Sequence, residues 1–185
     1  MADTKDDDRR LAERILQGDG DAFAELVERH YPKIFRLVRG ILGDWHGSED
    51  VCQEVFISVF RKLSGFRHRS RLSTWLYRVA LNAALRARRR KARLAAEPLE
   101  VHEGSLPARD DREAVRFEGD EVFRKLLAPL PEKLRAVVVL REQVGLSYDE
   151  IAAVLGCTRG AVEQRLHRAL VMLRQIWKDA PGTWT

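Results

Sequence analysis

LSYDEIAAVLGCTRGAVEQRLHRALVMLRQIW, residues 146–177, is the stretch that decides the fold. Ser147 followed by Glu150 is the pattern of a capping box that opens a helix, and Ile151, Ala152 and Leu155 then fall on its inward face. Gly156 stands where a left-handed residue closes that helix. Thr158 is placed to cap the next one, whose apolar positions are Val162, Leu166, Ala169, Leu170, Leu173 and Ile176. Two helices joined by a short glycine-containing turn, the second longer and rich in arginine, make a helix-turn-helix. Arg159, Gly160, Glu163, Gln164, His167 and Arg168 point away from the core, able to reach a major groove. There glutamine pairs with adenine, glutamate accepts from cytosine, and arginine takes guanine or phosphate.

Upstream of this unit, Val122 to Ala128 reads as a helix ended by Pro129. Pro131 suits the first turn of another helix, which runs through EKLRAVVVLREQV to Gly145. Before them lies EPLEVHEGSLPARDDREAVRFEGDE (97–121), with two prolines, two glycines and no sustained apolar period. Residues 95–117 are therefore expected to be a flexible acidic linker.

N-terminal to the linker, helical spacing returns. Leu11, Ile15 and Leu16 mark a helix that stops at Gly18, and Asp19 to Asp21 offer caps for a second one carrying Phe23, Leu26 and Val27. Tyr31-Pro32 is expected to restart the pattern, with Ile34, Phe35, Leu37, Val38, Ile41 and Leu42 before Gly43. Ser48 is expected to cap a helix over 49–63 whose stripe is Val51, Val55, Phe56, Val59, Phe60 and Leu63. Beside that stripe runs a polar strip of Glu49, Asp50, Gln53, Glu54, Ser58 and Lys62, whose acidic groups are better suited to a protein partner than to DNA. Each helix has one face to bury, so they must pack together.

A helix over 72–93 has one dry side, with Leu72, Trp75, Leu76, Val79, Ala80 and Ala83, and one basic side with Arg78, Asn82, Arg86, Arg89 and Arg93. With the loop before it, the stretch FRHRSRLSTWLYRVALNAALRARRRKAR (66–93) interleaves Phe66, Trp75 and Tyr77 with arginines. Cations attract phosphates, and aromatic rings stack on bases that have left the duplex. Trp75 lies on the apolar stripe and so also reads as core.

The charge follows the same division. Residues 1–96 hold 20 basic against 13 acidic side chains, 97–121 hold 3 against 9, and 122–185 hold 10 against 6. Two basic blocks parted by an acidic connector suggest two surfaces facing a polyanion. A hydrophobic fraction of 45% with 33% charged residues suits a soluble, helix-rich chain. No apolar run is long enough for a membrane span or a signal peptide, so a cytoplasmic protein is expected. Cys52 and Cys157 form no metal-binding spacing and read as buried free thiols, and the five histidines form no ligand pair. No metal, cofactor or catalytic group is expected.

Three motifs in order resemble the extracytoplasmic-function sigma factors of bacterial RNA polymerase, the sigma-E-like class with regions 2 and 4 only. DVCQEVFISVFRKL is similar to region 2.2, RLSTWLYRVALNAALRARRR to the junction of regions 2.3 and 2.4, and residues 130–174 to region 4. The resemblance implies an all-α chain of two small helical domains. Region 2 would span 1–94, the linker 95–117, region 4 118–179, and a tail 180–185. It implies that Glu49, Asp50, Gln53 and Glu54 dock on a coiled coil of core polymerase. The loop Phe66, Arg67, His68, Arg69, Ser70 and Arg71, with Ser73, Thr74 and Trp75, would capture an unpaired base of the minus-ten element, and Arg78, Asn82, Arg86 and Arg89 would follow the strand. Ser147, Tyr148, Arg159, Gly160, Glu163, Gln164 and His167 would face the double-stranded minus-thirty-five element, with Arg165 and Arg168 on phosphates. Partners implied are core polymerase, promoter DNA and an anti-sigma protein that holds the factor, itself monomeric when free, in the cytoplasm or at the inner membrane face. The family commonly has Gly-Thr-Val and then basic or small residues at the start of the recognition helix, whereas this chain has Gly160-Ala161-Val162-Glu163-Gln164. That departure hints at a cytosine contact by Glu163 or a changed promoter preference.

Two rivals fit less of the chain. A stand-alone helix-turn-helix regulator leaves the basic, aromatic stretch unexplained, and a DNA-processing enzyme needs a nucleophile that neither Ser58 nor Ser70 supplies with acid/base neighbours.

Overall fold

Gly18, at φ 89°, turns the chain out of α1 (Thr4–Leu16), and Asp19 starts α2 (Gly20–Leu42) by accepting the Ala22 N–H at 3.0 Å. The computed structural model describes residues 4–66, 70–96, 123 and 125–179. Most of the expected linker and the 180–185 tail lie outside them. α2 runs unbroken through Pro32, contrary to the restart expected there. Pro32 is on the solvent side, and Leu26, His30, Ile34, Leu37, Val38 and Ile41 form one buried line across it. Burying that line outweighs the single hydrogen bond a proline removes. Gly43, left-handed at φ 80°, closes the helix.

α3 (His46–Lys62) begins earlier than expected, and its start is organised by Asp44, not by Ser48. Asp44 Oδ1 accepts the Gly47 N–H at 2.7 Å, while the buried Ser48 hydroxyl donates back to the Asp44 carbonyl. A 3-10 turn (Leu63–Gly65) leads to Phe66. α4 (Leu72–Ala96) outruns the expected end at Arg93, because Leu94-Ala95-Ala96 contains no breaker. Asp8 of α1 accepts the backbone N–H groups of Leu72 and Ser73, tying the two helix starts together, and burial raises its carboxyl pKa despite those bonds. α2, α3 and α4 pack on one another with α1 across them.

Pro131 is the N-cap of α5 (Glu132–Val138), one place before the first turn. A π-helical segment (Val139–Gln143) continues it, and Gly145 at φ 78° turns into α6 (Tyr148–Leu155). The Ser147–Glu150 capping box and the left-handed Gly156 (φ 63°) stand as expected. Thr158 Oγ1 accepts the Ala161 N–H at 3.2 Å at the start of α7 (Arg159–Asp179). Val162, Leu166 and Ala169 are buried, whereas Leu170 is exposed.

The two modules share one core. α2 packs on the π-helical segment and α4 on α6. Buried Arg135 donates to the Leu130 carbonyl at 3.1 Å, to that of Ala128, and across to Ile41 of α2 at 3.4 Å.

Candidate nucleic-acid interfaces

The recognition helix α7 presents Arg159, Gly160, Glu163, Gln164, His167 and Arg168 to solvent, as the spacing required. Its inner face is pinned by Val162, Leu166 and Ala169, so the outer face has a fixed direction. Arg165 differs from the rest. It is half-buried, with Nη1 3.6 Å from Cys157 Sγ in the turn. Arg159 Nε donates to Glu163 at 3.0 Å and Nη1 to Asp149 at 3.1 Å. Ser147 is exposed at the start of α6, and its backbone N–H, donated to Glu150, helps hold that carboxyl below its usual range. Tyr148 is half-buried with the Arg141 guanidinium 5.1 Å from its ring centre.

On α4, Arg78, Asn82, Arg86 and Arg89 are exposed along one side. Phe66 and Thr74 are buried in the core, and Trp75 is half-buried with its ring 5.4 Å from that of Phe66. Ser70 and Ser73 are half-buried, while Arg67, His68 and Arg69 lie outside the described residues.

Two α4 arginines, Arg78 and Arg89, and Arg71 just before the helix are engaged by the other module. Arg78 Nε donates to the Val154 carbonyl at 3.3 Å and Nη2 to that of Ala153. Arg71 Nη1 is 3.5 Å from Glu150, and Arg89 grips Glu132 with two nitrogens at 3.0 and 2.7 Å. That grip holds the Glu132 carboxyl below its usual range. These contacts tie part of the basic side of α4 to the other module, while Asn82 and Arg86 stay exposed. Sequence reasoning missed them, because nothing in local spacing says which carbonyl a distant arginine meets.

A third surface lies on α3. Asp50, Gln53 and Glu54 are exposed and Glu49 half-exposed, but Ile57 (51% exposed) and Phe60 (59%) extend the strip as an apolar patch. Phe60 was expected in the core. It instead lies edge-on to Phe23, ring centres 5.1 Å apart. Beside it, a groove of about 500 Å³ runs between α3 and α4, with Leu42, Val51, Ile57 and Leu94 along it and Asp44, Glu54, Arg90 and Lys91 among its polar groups.

Cys52 is buried, which pushes its thiol up to about 12, so it is not a reactive thiolate; Cys157 is half-buried. Among the described residues, no three histidine, cysteine or acidic side chains group as metal ligands, and no helix is long and apolar enough to cross a membrane.

The sequence profile of sigma-70 region 2 matches residues 26–94 and that of sigma-70 region 4 matches residues 120–173. Among similar proteins, the RNA polymerase sigma-H factor of Pseudomonas aeruginosa is 39% identical over 90% of this chain and 91% of its own. The ECF RNA polymerase sigma-E factor of Haemophilus influenzae is 35% identical over 90% and 93%. SigW, an ECF RNA polymerase sigma factor of Bacillus subtilis, is 33% identical over 92% and 97%. Of solved structures, CnrH in complex with the cytosolic domain of CnrY superposes with a TM-score of 0.71 at 29% identity, covering 93% of this chain and 97% of that one. The sigma factor RpoE of Bartonella quintana, solved with the anti-sigma factor NepR, has the same fold at a TM-score of 0.64 and 21% identity, over 84% and 96%.

Proposed function

The chain belongs to the extracytoplasmic-function sigma factors of RNA polymerase, and from that membership we infer how its three surfaces divide the work. It is an alternative sigma factor that directs promoter-specific transcription initiation, and its family is one of initiation factors rather than enzymes.

Residues 1–94 form region 2 and 118–179 region 4, joined by the 95–117 tether. The α3 strip of Glu49, Asp50, Gln53 and Glu54, widened by Ile57 and Phe60, docks on core polymerase. Arg67 to Arg71, with Ser73, the half-buried Trp75 and the arginines of α4, takes the melted minus-ten strand, while Phe66 and Thr74, expected to touch the base, are buried and support that surface from the core instead. The exposed face of α7, with Ser147 and Tyr148, takes the minus-thirty-five duplex, and Arg165 and Arg168 serve its phosphates. A protein partner, an anti-sigma factor, holds the chain inactive in the cytoplasm, as CnrY sits on CnrH.

One observation carries this reading: a cationic helix in each module, α4 and α7, with an acidic and apolar face on a separate helix, α3. The two promoter elements are roughly 25 base pairs apart, or about 85 Å of duplex at 3.4 Å per step. Modules in contact through Arg78 and Val154 cannot grip both, so the closed chain opens when it joins polymerase. Run-off transcription from a genomic template library, with core polymerase with and without the protein, tests the function. Initiation at defined sites is expected, and no stimulation on any template defeats it.

A further inference from the structure

Arg159, the first residue of α7, is held on several sides while remaining 59% exposed. Its Nε is 3.0 Å from Glu163 Oε1 one turn on, and its Nη1 3.1 Å from Asp149 Oδ2 of α6. The guanidinium carbon lies 5.7 Å from the centre of the Tyr148 ring. Neither ion pair uses Nη2.

Exposed ion pairs of this kind add little to stability. Two carboxylates on a surface turned to a polyanion would also weaken binding, unless they serve another end. What they do here is direct the fork. A free arginine loses rotamer freedom when it binds, and one already held loses less. The first residues of a recognition helix are those that reach base edges. A planar fork matches O6 and N7 of guanine, whereas a phosphate accepts any nearby cation.

We propose that Arg159 reads a guanine in the upstream promoter element and that Glu163 is a positioning residue acting through Arg159, not itself a base reader. The inference rests on region 4 being the reader of that element. It replaces the cytosine contact that the sequence suggested for Glu163, because Glu163 Oε1 accepts the Arg159 Nε–H and so ties the carboxylate to the arginine rather than leaving it to swing toward a base.

The test uses polymerase holoenzyme and a promoter library randomised across the upstream element, with each base preference read as a ratio of transcripts. A ratio within one library is insensitive to partial loss of folded protein. The unsubstituted chain should favour guanine at one position on the order of 10-fold. Arg159→Ala and Arg159→Lys should abolish that preference and leave the others. Glu163→Ala should weaken it at the same position, and Glu163→Gln, which keeps an acceptor for Nε, should restore it. Replacing that guanine by 7-deazaguanine, which lacks the N7 acceptor, should depress transcription by the unsubstituted chain and not by Arg159→Ala. An equal loss on every template with Arg159→Ala would make Arg159 a phosphate contact and overturn the proposal. So would a change at a different base with Glu163→Ala. Absence of site-selective initiation by the unsubstituted chain overturns the function as well.

Discussion

Gly40 of α2 and Val139 of the π-helical segment approach so closely that a Cβ on Gly40 would lie 2.8 Å from Val139 Cγ1. The close seat between the two modules therefore depends on the absence of one carbon atom.

Gly40→Ala should pry the modules apart. Alanine favours α2 itself by about 1 kcal/mol, so the cost falls on the contact with Val139 rather than on region 2. The expected outcome is a larger radius of gyration by small-angle scattering and stronger binding to single-stranded DNA, since Arg71, Arg78 and Arg89 are freed. Gly40→Ala with Val139→Ala should close the chain again. Identical scattering for the unsubstituted and Gly40→Ala chains would mean that this seat does not hold the modules together.

Arg135 is 5% exposed and donates to three carbonyls, one of them in the other module. Arg135→Ala leaves the Ala128 and Leu130 carbonyls without their charged donor, whereas Ile41 keeps Arg88 at 3.5 Å, a loss of about 2–4 kcal/mol. Urea unfolding followed by circular dichroism measures it, and a shift under 1 kcal/mol would show that water replaces the guanidinium.

His30 is buried in α2, its Nε2 has no hydrogen-bond partner, and burial, aided by Arg29 and Lys33, lowers its pKa to about 4. The unfolded chain takes up this proton near pH 6.5, and the folded chain refuses it until about pH 4. Stability attributable to neutral His30 is therefore intact above pH 6.5 and lost progressively as pH falls to 4, by roughly 3 kcal/mol in all. His30→Leu should flatten that limb of a pH series of urea midpoints. An unchanged slope would place the acid sensitivity elsewhere.

Phe60 is more than half exposed on α3, two turns on from Gln53. An aromatic anchor in an interface is worth about 2 kcal/mol or more when truncated. Phe60→Ala should weaken affinity for core polymerase about 30-fold by fluorescence anisotropy, while helix content is unchanged. Equal affinities would remove Phe60 from the docking surface.

Much of this was legible along the chain. The Ser147–Glu150 box, Gly156 and Thr158 are local capping events, each satisfied within four residues, so the recognition helix and its outward face follow from sequence alone. Pro32 and Ser48 misled for the opposite reason. Their local preferences, to break and to cap, were overridden by the buried line of α2 and by the Asp44 carboxylate. Phe60 fits the apolar period of α3, yet the helices around it leave its ring uncovered.

The order of helices, the two basic faces and the acidic strip were set by the sequence itself, because capping, periodicity and charge act over one or two turns. Only the tertiary structure decided that Arg78 spends its donors on the Ala153 and Val154 carbonyls, that Gly40 seats Val139, and that Arg159 also meets Asp149 of α6. Most of those partners stand tens of residues apart, and which of them meet is chosen by how whole helices pack.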